Sequence, residues 1–434
     1  MRSRLTVALG RTARLAARVR GGGSGGTAFP GLVMERTDPG FLERTLGRLP
    51  HGVIVVSGTN GKTTTTKMVV QLLREQGLKV FTNRTGSNFV RGVLASLLTE
   101  VDAAGNLDAD IAVLELDEAH AVHFVARVRP RACLLLNVMR DQLDRFGEID
   151  YTASLLHSIA QATSDVVVLN GDDPRLAAPA FLEGVNARVV SFAAGEDLRS
   201  LFLSDDDLRT GLVSPRQAGQ APGPRVTLEA IDGQRATVRV DGVSHEVSFA
   251  IPGVHNLLNA CAALGVVLEV LGEDADLPGL LTTLGAVQAA FGRGEVLTLD
   301  GRPVQLSLVK NPAGFRMGLL SAASQAQDGE VVVVAINDEY ADGRDMSWLW
   351  DVDFSALRAG GVAVVTGVRA WDMALRLRYD EFEEVEPDLR RAVALMRRVA
   401  ADTDRPMRIF TTYTAMLALR SILGEMTDVE EVMS

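Results

Sequence analysis

The stretch Val53-Ile-Val-Val-Ser-Gly-Thr-Asn-Gly-Lys-Thr-Thr-Thr-Thr66 decides the fold. Its β-branched start reads as a buried strand, and Gly58-Thr-Asn-Gly61 reads as a turn. Lys62 and Thr63 then open a helix in which Met68, Val69, Leu72 and Leu73 recur at helical spacing. Strand, glycine turn and helix N-terminus bring several backbone N–H groups and the positive end of a helix dipole to one point, which suits phosphate. The usual phosphate loop, G-x-x-x-x-G-K-[ST], wants glycine at position 56, where this chain has Val56. The lysine for the β- and γ-phosphates and the hydroxyl for Mg²⁺ are nevertheless present. A plain strand-to-helix turn needs neither. The expectation is a nucleotide site built from Gly58, Thr59, Asn60, Gly61, Lys62, Thr63 and Thr64.

Outward from this loop, β-branched runs at 53–57, 79–82, 111–116, 132–138 and 166–169 alternate with helical segments, which predicts a parallel sheet covered by helices. Between 195 and 250 the texture changes. Three short alternating runs near 226–230, 236–240 and 245–249 read as a small antiparallel β element inserted in or appended to this domain. Residues 251–291 read as helical. A boundary near 295 precedes a second strand set at 304–309, 330–336, 362–366 and 408–411, hence a C-terminal, Rossmann-like α/β domain. The expected division is 1–50 as a basic N-terminal segment and link, 51–295 as the ATP-binding middle domain, and 296–434 as the C-terminal domain.

The 434 residues are 47% hydrophobic and 23% charged, the balance of an ordinary globular chain. A net charge of −11 argues against nucleic acid as a partner of the whole chain. Cys133 and Cys261 both sit in apolar runs and read as buried thiols in a reducing cytoplasm. The N-terminus departs from the acidic average. Arg2, Arg4, Arg11, Arg14, Arg18 and Arg20 precede Gly21-Gly-Gly-Ser-Gly-Gly26 with no acid among them. Leu5, Leu9, Leu15 and Val19 could share part of a helical face. The segment reads either as a surface helix with a flexible link or as a contact with an anionic membrane surface.

A Mg²⁺ site needs carboxylates. Glu115 and Asp117 end the apolar run Asp110-Ile-Ala-Val-Leu-Glu-Leu-Asp117, at the sheet edge where open α/β folds bind ligands. An acid there is costly unless it meets a cation. Glu118, His120 and His123 follow, and a His-x-x-His metal site competes with two solvated histidines. Downstream, Asn137-Val-Met-Arg-Asp-Gln-Leu-Asp-Arg-Phe-Gly-Glu148 again sets polar residues after a buried strand, although Asp141 and Asp144 could simply cap a helix.

Gly58-Thr-Asn-Gly-Lys-Thr63 resembles the ATP loop of the Mur ligases and folylpolyglutamate synthases. Three more matches follow in order: Glu115 in Leu-Glu-Leu, Pro252-Gly-Val-His-Asn-Leu-Leu-Asn259, and Gly292-Arg-Gly-Glu295. The resemblance implies that Thr63 and Glu115 hold Mg²⁺, that His255, Asn256 and Asn259 lie at the adenine, and that Arg293 joins Lys62 at the γ-phosphate. More narrowly, Phe89, Arg140-Asp-Gln-Leu-Asp-Arg145, Lys310-Asn-Pro-Ala-Gly-Phe315 and Tyr340-Ala-Asp-Gly-Arg-Asp-Met-Ser-Trp-Leu-Trp-Asp351 look like the MurT subfamily, the ligase-like subunits of lipid II isoglutaminyl synthases. That implies ATP-dependent amidation of the D-glutamate α-carboxylate of lipid II through an acyl phosphate, a step of peptidoglycan synthesis.

Where amino-acid-adding Mur ligases have a histidine, this chain has Gln142, and where they carry an aspartate before Lys310 it has Leu308. Residues 1–50 are too few for the UDP-binding domain that opens a standard Mur ligase. Neither cysteine suits a glutaminase nucleophile, so the ammonia is expected from another chain. The resemblance makes that partner a GatD-type glutamine amidotransferase, whose Cys–His pair an aspartate of this chain would complete. Asp351 is the candidate, with Asp345 and Asp353 as rivals. MurT proteins often carry a four-cysteine zinc ribbon; residues 195–250 contain no cysteine, so no structural zinc is expected. Two alternatives stand beside this reading: a folylpolyglutamate-synthase-like or other amino-acid-adding ligase, and a non-catalytic scaffold for a glutaminase.

Overall fold

The structure is a computed structural model that describes residues 2–20, 28–83, 88–140, 149–210, 221–288, 293–325, 329–358, 360–378 and 384–427. The side chains of 2, 18–20, 28, 208–210, 293–295 and 323–325 are outside the description. The chain divides into two compact units. The first comprises Met1–Met139, Asp150–Ala250 and His255–Val287; the second comprises Arg140–Ile149, Ile251–Val254 and Gln288–Ser434.

The first unit is built on a nine-stranded sheet of order β2-β3-β1-β4-β5-β6-β7-β8-β9. β1 (Val53–Ser57), β2 (Val80–Thr82), β3 (Ile111–Glu115), β4 (Ala132–Leu135) and β5 (Val166–Asn170) are almost wholly buried. They pair in parallel, as continuous apolar runs covered on both faces must. β6 (Arg188–Ala194), which apolar periodicity did not single out, extends the parallel run; only its last four residues are buried. β7 (Pro224–Asp232) joins β6 in parallel, and β8 (Arg235–Val240) and β9 (Val243–Ser248) continue the same sheet antiparallel. The β element is thus appended to the sheet edge, and Val226, Leu228, Ala236, Val238, Val240 and Phe249 give it an apolar side.

Three helices precede the sheet: α1 (Arg2–Arg20), α2 (Ala28–Thr37) and α3 (Phe41–Leu46). α4 (Lys62–Glu75), α5 (Val90–Glu100) and α6 (Glu118–Val125) follow the first strands. Among the described residues one helix, Val254–Leu271, belongs to a span long and apolar enough to cross a membrane, but most of it is buried. Residues such as Ala260, Cys261, Ala262 and Leu264 make it a core helix.

The second unit has a six-stranded sheet of order β10-β11-β15-β12-β13-β14. β10 (Arg293–Leu299) and β11 (Arg302–Leu308) form a hairpin; β12 (Val331–Ala335), β13 (Val364–Thr366), β14 (Glu384–Val385) and β15 (Met407–Thr411) are parallel. Lys310-Asn-Pro-Ala-Gly-Phe315 is structural here. Asn311 Oδ1 accepts from Gly314 N at 2.8 Å at the start of helix Pro312–Gln325. Phe315 then packs in the core against Trp348, Phe354 and Phe410, edge-on to Phe354 at 5.0 Å.

Candidate active site

The phosphate loop forms as the sequence implies, in a backbone that only glycine accommodates. Gly58 has φ 128° and Gly61 has φ 88°. A Cβ at Gly58 would lie 3.0 Å from Asn137 N, and one at Gly61 would lie 2.7 Å from Asn259 Oδ1. The loop therefore rests on two supports far along the chain. One is the segment after β4. Thr59 N donates to Asn137 O (3.1 Å), Asn60 N donates to Asn137 Oδ1 (2.8 Å), and Asn137 Nδ2 donates to Asn60 O (3.1 Å). The Thr59 hydroxyl both donates to Met139 O and accepts from Met139 N. That segment is itself pinned by Asp173, which accepts from Val138 N at 2.6 Å and from the amides of Arg175 and Leu176. Burial pushes the Asp173 carboxyl up to about 6, with those N–H bonds pulling the other way.

Lys62 and Thr63 open α4 behind the left-handed Gly61. Lys62 is 8% exposed, and its Nζ donates to Gly58 O (2.5 Å), to Glu118 Oε2 (3.1 Å) and to Thr59 O (3.4 Å). Glu118 is 2% exposed, so the pair is buried, and each charge requires the other. The Thr63 hydroxyl donates to Glu115 Oε1 at 2.9 Å. Glu115 is fixed by a reciprocal amide pair: its N donates to Asn83 Oδ1 and its O accepts from Asn83 Nδ2, both at 2.9 Å. The end of β3 is thereby locked beside the end of β2. A hydroxyl and a carboxylate oxygen so close together are hard oxygen donors that fit Mg²⁺, which usually takes one or two protein ligands and fills its remaining positions with water and phosphate.

Among the described residues no group of three or more His, Cys, Asp and Glu could hold a metal ion. His120 instead lies beside Phe89, with ring centroids 5.8 Å apart, and His123 is exposed. Asp117, 7% exposed, precedes α6 without capping it.

His255, Asn256 and Asn259 stand together in the first turns of helix Val254–Leu271. Asn259 abuts the loop at Gly61, and Asn256 is buried at 3%. Arg293 begins β10, with its side chain outside the described residues; Asp141, Gln142, Asp144 and Gly292 lie outside them altogether. Leu308 ends β11 and is half-buried.

In the second unit the three rival aspartates separate by what they do. Asp345 accepts from Ser347 N (2.9 Å) and Asp353 from Ser355 N (2.9 Å), both as local turn caps. The Ser355 amide, foremost, holds the Asp353 carboxyl below its usual range. Asp351 ends the short helix Ser347–Asp351, is about half exposed, and pairs with Arg140 Nη1 at 2.6 Å. An ion pair that open to water is weak and readily exchanged. Burial pushes both the Cys133 and the Cys261 thiol up to about 12, which removes them as nucleophiles near neutral pH.

Sequence reasoning singled out the run opening at Asn137 but not its contact with the loop, and it missed Glu118, Asn83 and Asp173 as members of the site. Glu118 had one usable signal, an acid at the first position of a helix directly after Glu115, but that position equally complements a helix dipole. For the other three, only the fold creates the contact.

Comparison with known proteins agrees with this geometry. The model of the Mur ligase middle domain matches residues 56–267, and that of the MurT ligase C-terminal domain matches residues 308–416. The lipid II isoglutaminyl synthase (glutamine-hydrolyzing) subunit MurT of Streptococcus pneumoniae is 29% identical over 433 residues, covering 94% of this chain and 95% of its own. MurF of Acinetobacter baumannii superposes with a TM-score of 0.69 at 18% identity, over 91% of this chain and 80% of that one. MurF of Thermotoga maritima in complex with ADP gives 0.65 at 18% identity, over 89% and 82%. The chain belongs to the Mur ligase family and, within it, to the MurT branch.

Proposed function

We propose that this chain is the ligase subunit of an enzyme that amidates the α-carboxylate of D-glutamate in lipid II, yielding D-isoglutamine. The observation that carries the reading is the pairing of Thr63 with Glu115 and of Lys62 with Glu118 at the mouth of one phosphate loop. A scaffold requires neither. ATP lies along the N–H groups of Gly58-Thr-Asn-Gly-Lys-Thr-Thr64, with its adenine toward His255, Asn256 and Asn259. Thr63 and Glu115 would hold Mg²⁺, which supplies Lewis-acid charge at the phosphates. The γ-phosphoryl passes to the substrate carboxylate, and Lys62, with Arg293 as a further cation, stabilises the charge that spreads over it.

The acyl phosphate is next attacked by ammonia. A C–N bond forms, the C–O bond to phosphate breaks, and the nitrogen's proton leaves with the phosphate. This chain supplies no cysteine for releasing that ammonia. A GatD-type glutaminase subunit does so, and Asp351 completes its Cys–His pair by orienting the histidine. The departures at Gln142 and Leu308 from the amino-acid-adding pattern favour ammonia over an amino acid as nucleophile.

The experiment is an amidation assay with lipid II and ATP, run with ammonium alone and with glutamine plus the partner subunit. Amide product from this chain with ammonium supports the reading. Turnover only with a free amino acid or a folate would replace it with the amino-acid-adding alternative.

A further inference from the structure

α1 is built the wrong way round for a surface helix of a protein surrounded by water. It is held to the first unit by one face. Thr6 and Val7 are 0% and 1% exposed, and Ala13 is buried. A Cβ at Gly10 would lie 2.9 Å from Met34 Cγ of α2 and 3.0 Å from Leu98 Cδ1 of α5, so the helix packs closely there. The opposite face should then be polar. Instead its centre is apolar: Leu5, Leu9 and Leu15 are 57%, 41% and 63% exposed, with exposed Ala8, Thr12 and Ala16 between them. At 100° per residue these six fall in one sector, and Arg4 and Arg11 fall along its edge. Arg4 is exposed, while Arg11 also donates to Val101 O at 3.0 Å. The helix sequence carries Arg2, Arg14, Arg18 and Arg20 besides, with no acid in its 19 residues, on a chain whose net charge is −11.

We propose that this face of α1 docks in the headgroup layer of an anionic lipid bilayer. An apolar centre flanked by arginines is the arrangement that buries leucine at the acyl boundary while guanidinium groups meet lipid phosphates. Charge complementarity selects this occupant. A second copy packed on this same face would set these arginines against their own like charges. Apart from Arg11, which also donates to Val101 O, helix packing and the docking face use different residues, so α1 can bind a surface without leaving its seat on α2 and α5. The proposal deepens the functional reading, because a lipid-linked substrate is presented at such a surface.

The test is sedimentation of the full chain with vesicles of phosphatidylglycerol and phosphatidylcholine, compared with phosphatidylcholine alone. Neither substrate nor nucleotide is present. Binding is expected to the anionic vesicles, at least tenfold weaker to the neutral ones, and weakened further by salt. The triple variant Leu5→Gln/Leu9→Gln/Leu15→Gln should lose at least tenfold in partitioning while keeping its thermal midpoint. The double variant Arg4→Gln/Arg11→Gln should lose mainly the anionic preference.

No binding to anionic vesicles, or equal binding by the triple leucine variant, overturns the proposal. So does a triple variant that keeps vesicle binding but no longer associates with the partner subunit, since the face would then be a protein interface. Vesicle binding is read without turnover, so an inactive amidation assay would remove the functional reading and leave this one standing.

Discussion

Two acidic stretches of this molecule are put together in opposite ways. At the end of β3, Glu115, Asp117 and Glu118 are each less than 9% exposed, and two of them are already bound to the phosphate loop, through Thr63 and Lys62. In the second unit Asp345 and Asp353 cap local turns, while Asp351 is about half exposed and pairs with the accessible Arg140. Buried acids are tolerable because the same chain supplies their cation or hydroxyl, so the first stretch is organised before any ligand arrives. In the second, the Asp351 carboxylate is held by an ion pair open to water, which exchanges readily. That is what a residue needs if it serves another polypeptide. On the proposed reading, one chain carries a site for activating a carboxylate and one residue of a site for releasing ammonia.

The comparison is broken most severely at Lys62. Lys62→Ala should lower ATP-dependent amidation by about 100- to 1,000-fold whichever nitrogen source is used, because it removes a preorganised charge from the transferring phosphoryl group. Measured in parallel, Asp351→Asn should cost on the order of 100-fold in glutamine-driven amidation and leave ammonium-driven amidation unchanged. Equal losses in the two assays would place Asp351 in the ligase chemistry instead. Asp345→Ala and Asp353→Ala should cost about 1 kcal/mol of stability each, as lost caps do, with no split between nitrogen sources.

A smaller effect sharpens the first half of the contrast. Glu118→Gln keeps the side chain's volume but leaves the Lys62 charge buried without its anion, so the nucleotide-free protein should melt earlier. The phosphates of ATP replace that anion. The rise in Tm on adding Mg·ATP should therefore be larger in the variant than in the wild type. A smaller rise would mean that Glu118 acts through the nucleotide rather than on Lys62.

A pH-dependent effect concerns Asp173, which holds the segment backing the loop. Its carboxyl is raised to about 6 from an ordinary value of 3.8, so the folded form binds that proton more tightly than the unfolded form. Its contribution to stability is fully present below about pH 4 and is lost as pH rises through 6, by on the order of 3 kcal/mol. Asp173→Asn should flatten that part of the stability–pH curve, as read by denaturant unfolding at several pH values.

What could be read from the sequence follows the same division. Gly58, Gly61, Lys62 and Thr63 were legible because phosphate binding demands fixed residue types at fixed local spacing. Glu115 was legible because an acid ending an apolar strand needs a reason. The parallel strands were legible as apolar runs, whereas β6, exposed over its first residues, was not. Lys62 and Glu118 are 56 residues apart, Asn83 and Glu115 are 32 apart, and Asn60 and Asn137 are 77 apart. No local period encodes such pairs; adjacent parallel strands create them. Which of the three aspartates cap turns and which pairs with Arg140 also needed coordinates, since nothing in the local sequence tells them apart.

The most direct test of carboxylate activation at Lys62 and Thr63 follows one atom. Lipid II carrying oxygen-18 in the α-carboxylate of D-glutamate is incubated with this chain, Mg·ATP and ammonium, and the released phosphate is analysed by mass spectrometry. Transfer of one labelled oxygen to phosphate for each amide formed is the predicted result, because the C–O bond broken is that of an acyl phosphate. Amide formation with all label left in lipid II or lost to water, or with AMP and pyrophosphate as products, would contradict it.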